Sequence, residues 1–317
     1  MERDEEQIIT EDGIDRRGFL KCMAWAGTGL LWTMNGGVPM SRAFARGEVV
    51  PAGGDFSFVQ ISDSHIGFSK AANPNVLATL DEAINRINVL QPAPELLLHT
   101  GDLTHLTAPE EFDTLQQAMK RCKVSSQFYV PGEHDVLADH GKRYLERFGK
   151  GTLGKGWHSF NHKGVHFIGL VNALEFDSSG LGTLGREQLE WLEKDVKGLS
   201  SSTPVVVFAH VPLWSVYPQW GWGTLDSEQA LSYLKRFGSL TVLNGHIHQT
   251  MQKVEGNVTF HTARSTAFPQ PEPGKAPNPG PMAVPAERLK GVLGITQVQF
   301  VSKGHQLAIT DSALADA

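Results

Sequence analysis

Five short apolar runs in this 317-residue chain stop abruptly at acidic and imidazole side chains. The endings are Asp63-x-His65, Gly101-Asp102, Gly132-Glu133-His134-Asp135, His210 and Gly245-His246-x-His248. Buried strands that end in such groups usually carry chemistry, because the groups are costly unless a metal or substrate uses them. Mixed carboxylates and imidazoles suit Mn, Fe(II) or Zn, whereas Ca and Mg sites use mainly oxygen. The donors outnumber what one tetrahedral zinc needs, so a two-metal site sharing one carboxylate is the natural reading. Two cations a few ångströms apart activate a bridging hydroxide and neutralise the charge on an attacked phosphate. Singly these residues are weak signals: a Gly-Asp pair is a common turn, and a strand-end histidine usually makes a structural hydrogen bond. Five such endings in one ordered series carry more weight.

The elements that must position them follow from the apolar pattern. Residues 55–61, 95–99 and 127–130 read as buried strands, with helices over 74–90 and 109–121 between them. Pro109 followed by Glu110 and Glu111 marks a helix start. Fully apolar strands alternating with helices predict an α/β fold with parallel strands, whose ligands sit beyond the strands' carboxyl ends. Downstream, 157–160 and 165–170 flank the turn Asn161-His162-Lys163-Gly164 as a hairpin. Further strands are expected at 204–209 and 240–243, helices at 185–196 and 225–237, and a hairpin within 254–262. Residues 276–285, rich in Pro and Gly, predict an irregular loop, and 294–301 with 306–310 an antiparallel closing pair. No internal repeat or long linker divides residues 46–317, so one domain is expected there.

The ordered series resembles the calcineurin-like metallophosphoesterase superfamily, whose pattern is D-x-H, G-D, G-N-H-D/E, H and G-H-x-H. The match runs from Asp63 to His248 and is most like bacterial class III cyclic-nucleotide phosphodiesterases, through Gly101-Asp102-Leu103-Thr104 and Pro131-Gly132-Glu133-His134-Asp135. Purple acid phosphatases fit less well: they lack the histidine at 65 and place a tyrosine ligand where His105 stands. The resemblance implies a four-layer αββα sandwich of two mixed sheets and two metal ions per chain (Fe, Mn or Zn). Carried over, it makes Asp63, His65 and His248 ligands of the first metal, and Asp102 the bridge. Residue 133, His210 and His246 would bind the second. His134 becomes the general acid, with Asp135 beside it in the catalytic stretch. By their own positions near the cluster, His105 and His99 are expected behind the ligands and not among them.

Two positions depart from the family pattern. Asn is usual at 133, and Glu133 adds a negative charge that should hold a cation more tightly and blunt its electrophilicity. Asp is frequent three residues beyond the bridging carboxylate, oriented to hold the catalytic histidine, and this chain has His105. A charged or hydrogen-bonding His105 balancing Glu133 would link the two changes. The expected activity is hydrolysis of small phosphodiesters, cyclic nucleotides among them. The rivals are phosphomonoester hydrolysis on the same metals, or a metal-binding or interaction protein whose hydrolysis Glu133 has weakened. Trp214, Tyr217, Trp220 and Trp222 either stack on a substrate base or form a packed loop. Arg264 and Ser265 are candidates to reach a phosphate.

Composition narrows the remaining choices. A formal net charge of −6 offers no basic stripe, so nucleic acid is not expected as a partner. No apolar run reaches the length of a membrane span, so no stable membrane anchor is expected. Asp15-Arg16-Arg17-Gly18-Phe19-Leu20-Lys21, a weakly apolar stretch to Met34 and Ala43-Phe44-Ala45 predict a twin-arginine signal peptide over 1–45. The twin-arginine export machinery is then a partner and the periplasm the destination. Cys122 is the sole cysteine outside that segment, so no intramolecular disulfide is expected in the exported chain.

Overall fold

A computed structural model of the chain describes residues 29–35, 38–44, 54–302 and 306–315. The chain divides into two units, one ending at Val49 and the other beginning at Val50. Within the first, Gly29–Asn35 and Val38–Phe44 pair antiparallel, Gly29 opposite Phe44. The twin-arginine pattern at 15–21 lies outside the described residues. Among the described residues no helix is long and apolar enough to cross a membrane.

The second unit holds two mixed sheets. Strands β1 (Phe56–Ile61), β2 (Leu96–Thr100) and β3 (Ser126–Val130) run parallel. The antiparallel pair β10 (Gly294–Val301) and β11 (Gln306–Ala313) extends them to a five-stranded sheet in the order β11-β10-β1-β2-β3. The other sheet contains β4 (His158–His162), β5 (Val165–Gly169), β6 (Val205–Phe208), β7 (Leu240–Asn244), β8 (Gln252–Glu255) and β9 (Val258–Thr262), in the order β8-β9-β7-β6-β5-β4. Its β5, β6, β7 and β9 are parallel; β4 and β8 pair antiparallel at the edges.

Strand alternation builds three apolar layers, which makes four layers of structure. In β1, Phe56 and Phe58 face Phe167, Val206 and Phe208 of the opposing sheet. Val59 and Ile61, on the other face, pack with Leu80, Ile84 and Ile87 of helix α1 (Val76–Ile87) and with Phe112 and Leu115 of α2 (Pro109–Met119). The outer face of the six-stranded sheet is covered by α4 (Arg186–Val196) and α5 (Ser227–Leu234) through Leu189, Leu192, Leu231 and Leu234. Burying each such side chain contributes about 1.5–3 kcal/mol, so both sheets are anchored face to face. The expected four-layer αββα sandwich is the observed fold.

Local signals explain the helix starts that matter to the site. Asn75 caps α1 by accepting from the Ala78 amide at 3.1 Å. Glu111, in the first turn of α2, accepts from the amides of His105, Leu106 and Ala108 at 3.3, 2.8 and 3.2 Å. One carboxylate thus pins the loop carrying His105 to a helix. Two short helices were not foreseen: α3 (Lys142–Phe148) and α6 (Ala286–Val292). Neither is long enough to show a helical period in the sequence.

Candidate metal centre

All five motif endings meet at the carboxyl ends of the central strands, at one edge of the two facing sheets. The loop after β1 runs beside the loop after β2: Asp63 and His65 donate their amides to the carbonyls of Gly101 and Asp102, at 3.0 and 2.9 Å. The loop after β7 is tied to the loop after β6 by the Gly245 amide on the His210 carbonyl at 3.0 Å. Across the sheets, the His246 amide donates to Asp63 Oδ1 at 3.1 Å; within the five-stranded sheet, the His134 amide donates to Asp102 Oδ1 at 2.9 Å.

This geometry requires unusual backbone. Asp63, His65, Asp102, His246 and His248 all have φ between +41° and +70°. Residues other than glycine seldom occupy that region, and such strain persists where the surroundings impose it. Glycine is needed where chains approach most closely. A Cβ on Gly132 would overlap the Asp102 side chain and backbone amide, and one on Gly245 would overlap the Ser62 hydroxyl.

Two sets of donors emerge. His65 Nε2 lies 3.2 Å from His248 Nε2, and His248 Nε2 lies 3.3 Å from Asp63 Oδ1. In the second set, Glu133 places Oε2 2.8 Å from His210 Nε2 and Oε1 2.9 Å from His246 Nδ1. Asp102 Oδ2 stands between the sets, 3.4 Å from His65 Nε2 and 3.5 Å from His210 Nε2. Two donors about 2.1 Å from one cation lie roughly 3.0–3.4 Å apart, so these spacings fit cation ligands.

Tautomers sharpen the point. His210 Nδ1 donates to the Thr100 carbonyl at 2.7 Å and His248 Nδ1 to the Phe268 carbonyl at 2.6 Å. In their neutral form these rings aim Nε2 lone pairs at carboxylate oxygens, His210 at Glu133 Oε2 and His248 at Asp63 Oδ1. Acceptors facing acceptors need a cation or a proton between them. The residues present therefore fit a pair of metal ions. Fixing the far nitrogen of a ligating histidine with a carbonyl is also the usual way to orient it.

The electrostatics agree. Burial lowers the His210 pKa, but Asp102 and Glu133 outweigh burial and hold it well above the ordinary value. Burial raises Glu133, yet His246 and His210 draw it well below the usual carboxylate range. Asp63 is likewise lowered, His248 overcoming burial. For His134, burial lowers the pKa while Asp102, Glu133 and the His105 carbonyl raise it further, leaving it elevated.

The remaining sequence candidates fall into place around this centre. His134 donates Nδ1–H to the His105 carbonyl at 2.7 Å, leaving Nε2 free. The His105 ring stacks on His134 at 4.8 Å and 16°, and its Nδ1 lies 3.4 Å from His65 Nδ1. Burial and His134 push the His105 pKa down to about 4. The expected balance between His105 and Glu133 is not seen: the His105 ring turns to His134 and His65, and Glu133 pairs with His210 and His246. His99 is buried beneath the site with Nε2 2.7 Å from the Ser64 hydroxyl, and burial pushes its pKa to about 3.

Asp135 belongs to the frame. Its carboxylate accepts from the amides of Leu103, Thr104 and Gly132 and from the Thr104 hydroxyl, at 2.8–3.0 Å. Burial and Asp102 raise its pKa to about 7, against four donors that favour the anion. Fully buried and occupied on both oxygens, it splices the Asp102 loop to the His134 loop.

Other expectations resolve as packing. Trp222 is fully buried, Trp214 packs on Phe260, and Tyr217, Trp220 and Trp222 meet edge-on, so the aromatic segment packs on itself with Trp214, Tyr217 and Trp220 half-buried. Ser265 is buried and donates to the Asp63 carbonyl at 2.8 Å, while Arg264 reaches the Gly291 carbonyl. Neither is placed to take a phosphate. Sequence reasoning missed Phe268, whose carbonyl holds His248 and whose ring stacks on His65 at 4.7 Å. It also missed Thr107, whose hydroxyl donates to the His134 carbonyl at 2.8 Å.

A four-layer sandwich with this carboxylate–imidazole cluster at its strand ends defines a metallophosphoesterase. The chain belongs to the calcineurin-like phosphoesterase family, whose model matches residues 56–250. It is similar to a 3',5'-cyclic-nucleotide phosphodiesterase of Nostoc sp., 28% identical over 218 residues that cover 67% of this chain and 79% of that protein. It is also similar to a serine/threonine-protein phosphatase of Danio rerio, 28% identical over 223 residues, 62% of this chain and 71% of the other. Among solved structures, a dimetal phosphatase from Danio rerio superposes with a TM-score of 0.56 at 14% identity, covering 82% of this chain and 99% of that one. A purple acid phosphatase from yellow lupin reaches a TM-score of 0.63 at 13% identity, covering 87% of this chain and 54% of that one. At such identities the superpositions speak to the fold alone.

Proposed function

We propose that this protein hydrolyses small phosphodiesters, cyclic nucleotides among them, at a dinuclear metal centre. The observation that carries the reading is the convergence of buried acceptors, with Asp102 placed between the Asp63–His65–His248 and Glu133–His210–His246 sets. Asp63, His65 and His248 would hold one cation, Glu133, His210 and His246 the other, with Asp102 shared. Such a pair supplies a nucleophile from water at neutral pH and neutralises phosphate charge.

The chain's own residues supply the rest. His134 has its Nδ1 committed to a carbonyl, so Nε2 is the atom that gives a proton to the leaving oxygen. Against burial, Asp102, Glu133 and the His105 carbonyl raise the pKa of His134, which favours the protonated form. The His105 carbonyl holds the orientation of His134, whose ring lies against that of His105, and Asp135 fixes the turn beneath it. Similarity to the Nostoc phosphodiesterase favours diesters. The similarity to a protein phosphatase keeps phosphomonoester hydrolysis as the second reading. The pattern at 15–21 and the small residues at 43–45 support export by the twin-arginine route to the periplasm.

The test is turnover by the metal-loaded protein of a chromogenic diester, a chromogenic monoester and 3',5'-cyclic nucleotides, in the presence of Mn, Fe or Zn. Diester and cyclic-nucleotide hydrolysis well above monoester hydrolysis is expected. A preference for monoesters would move the assignment to the second reading.

A further inference from the structure

Glu133 makes the two halves of the centre alike. Each half has one carboxylate of its own and two imidazoles: Asp63 with His65 and His248, Glu133 with His210 and His246. Each half also shares Asp102, whose Oδ2 lies at nearly equal distances from His65 and His210, 3.4 and 3.5 Å. The glutamate is engaged on both oxygens, at 2.8 and 2.9 Å from its two imidazole partners. An uncharged amide at this position would leave the second half with one anion fewer than the first.

We propose that Glu133 is a specificity-determining residue: it makes the second half-site hold its cation as firmly as the first, and tunes the centre for monoanionic phosphodiesters over dianionic monoesters. The reasoning is a charge count. Three carboxylates against two divalent cations leave a single net positive charge, and a neutral residue at 133 would leave two. A phosphomonoester carries nearly two negative charges at pH 7 and a diester carries one. Removing one positive charge from the site therefore weakens attraction for the monoester about twice as much as for the diester. Retention moves the other way, because an anionic ligand holds a cation more tightly than a neutral one.

This inference rests on the reading of the two donor sets as a dinuclear centre, and deepens the phosphodiesterase assignment. The experiment uses the full metal-loaded protein as wild type, Glu133→Gln, Glu133→Asn and the charge-conserving Glu133→Asp. Metal release into a chromophoric chelator is followed alongside kcat/KM for a chromogenic diester and monoester. In the wild type both metals should leave together. In the Gln and Asn variants one metal should leave on the order of tenfold faster or more. The diester-to-monoester ratio of kcat/KM should fall on the order of tenfold in the same variants and recover in Glu133→Asp. Unchanged release, or an unchanged ratio in active variants, would overturn the proposal. If the wild type turns over no ester, the phosphodiesterase reading fails, and metal release alone decides whether Glu133 equalises the half-sites.

Discussion

The Nδ1–H of His134 donates to the main-chain carbonyl of His105 at 2.7 Å, so a backbone atom fixes the tautomer of the candidate general acid. No substitution at 105 removes that acceptor. The loop presenting it is pinned by Glu111 from the first turn of α2, not by the His105 side chain. His105→Asn is therefore expected to keep kcat within about tenfold of wild type. His134→Asn should lower kcat by roughly 10²–10⁴ without changing metal content. Steady-state kinetics beside metal analysis decide the matter. Equal damage from both substitutions would mean that the His105 ring, and not its carbonyl, sets the acid.

Asp135 offers a sharp contrast with its neighbour. A carboxylate taking four donors cannot be replaced by an amide without turning one acceptor into a donor facing donors. Asp135→Asn should cost about 1–3 kcal/mol of stability, read as a lower Tm or denaturation midpoint. With metal in excess, kcat should remain within about tenfold. A loss of kcat of about a thousandfold at unchanged stability would place Asp135 in the reaction after all.

Stability of the metal-free protein should have a characteristic pH dependence. Glu133 is depressed by His246 and His210, so its contribution is present above the ordinary carboxylate value of 4.5 and lost as pH falls through its lowered pKa. His210 is raised by Asp102 and Glu133, so its contribution is complete below the ordinary histidine value of 6.5 and lost as pH rises through its raised pKa. Both contributions overlap between those values. Calorimetry of chelator-treated protein should show the Tm advantage of the wild type over Glu133→Gln greatest there and shrinking on the alkaline side. An advantage that keeps growing to pH 9 would contradict the pairing.

Much of the fold was legible because β1, β2, β6 and β7 are buried on both faces and read as short apolar runs with chemistry at their ends. The donor set was legible for a related reason: Asp63, His65, Asp102, Glu133, His210, His246 and His248 are all residue types that ligate, in chain order. What supports them was not legible. The carbonyls of Thr100, His105 and Phe268 that fix His210, His134 and His248 leave no mark on residue type. Asp135 shared a motif with the candidate acid, and its role became visible once its four donors were in view. His105 and Glu133 looked like partners because both depart from one pattern, yet they turn to different neighbours. Trp222 and its aromatic companions could have served stacking on a ligand or packing in a loop; Trp222 is buried in the loop, while Trp214, Tyr217 and Trp220 are half-buried.

Metal content and diester turnover of the purified protein, measured beside Asp102→Ala, test the dinuclear centre most directly. Asp102 stands between the two donor sets, and its loss removes the shared carboxylate from both. The wild type should carry two metal ions per chain and hydrolyse the diester. The variant should lose metal and at least roughly a thousandfold in turnover. A wild type that binds one metal or none, or an Asp102→Ala protein that turns over the diester as the wild type does, would contradict it.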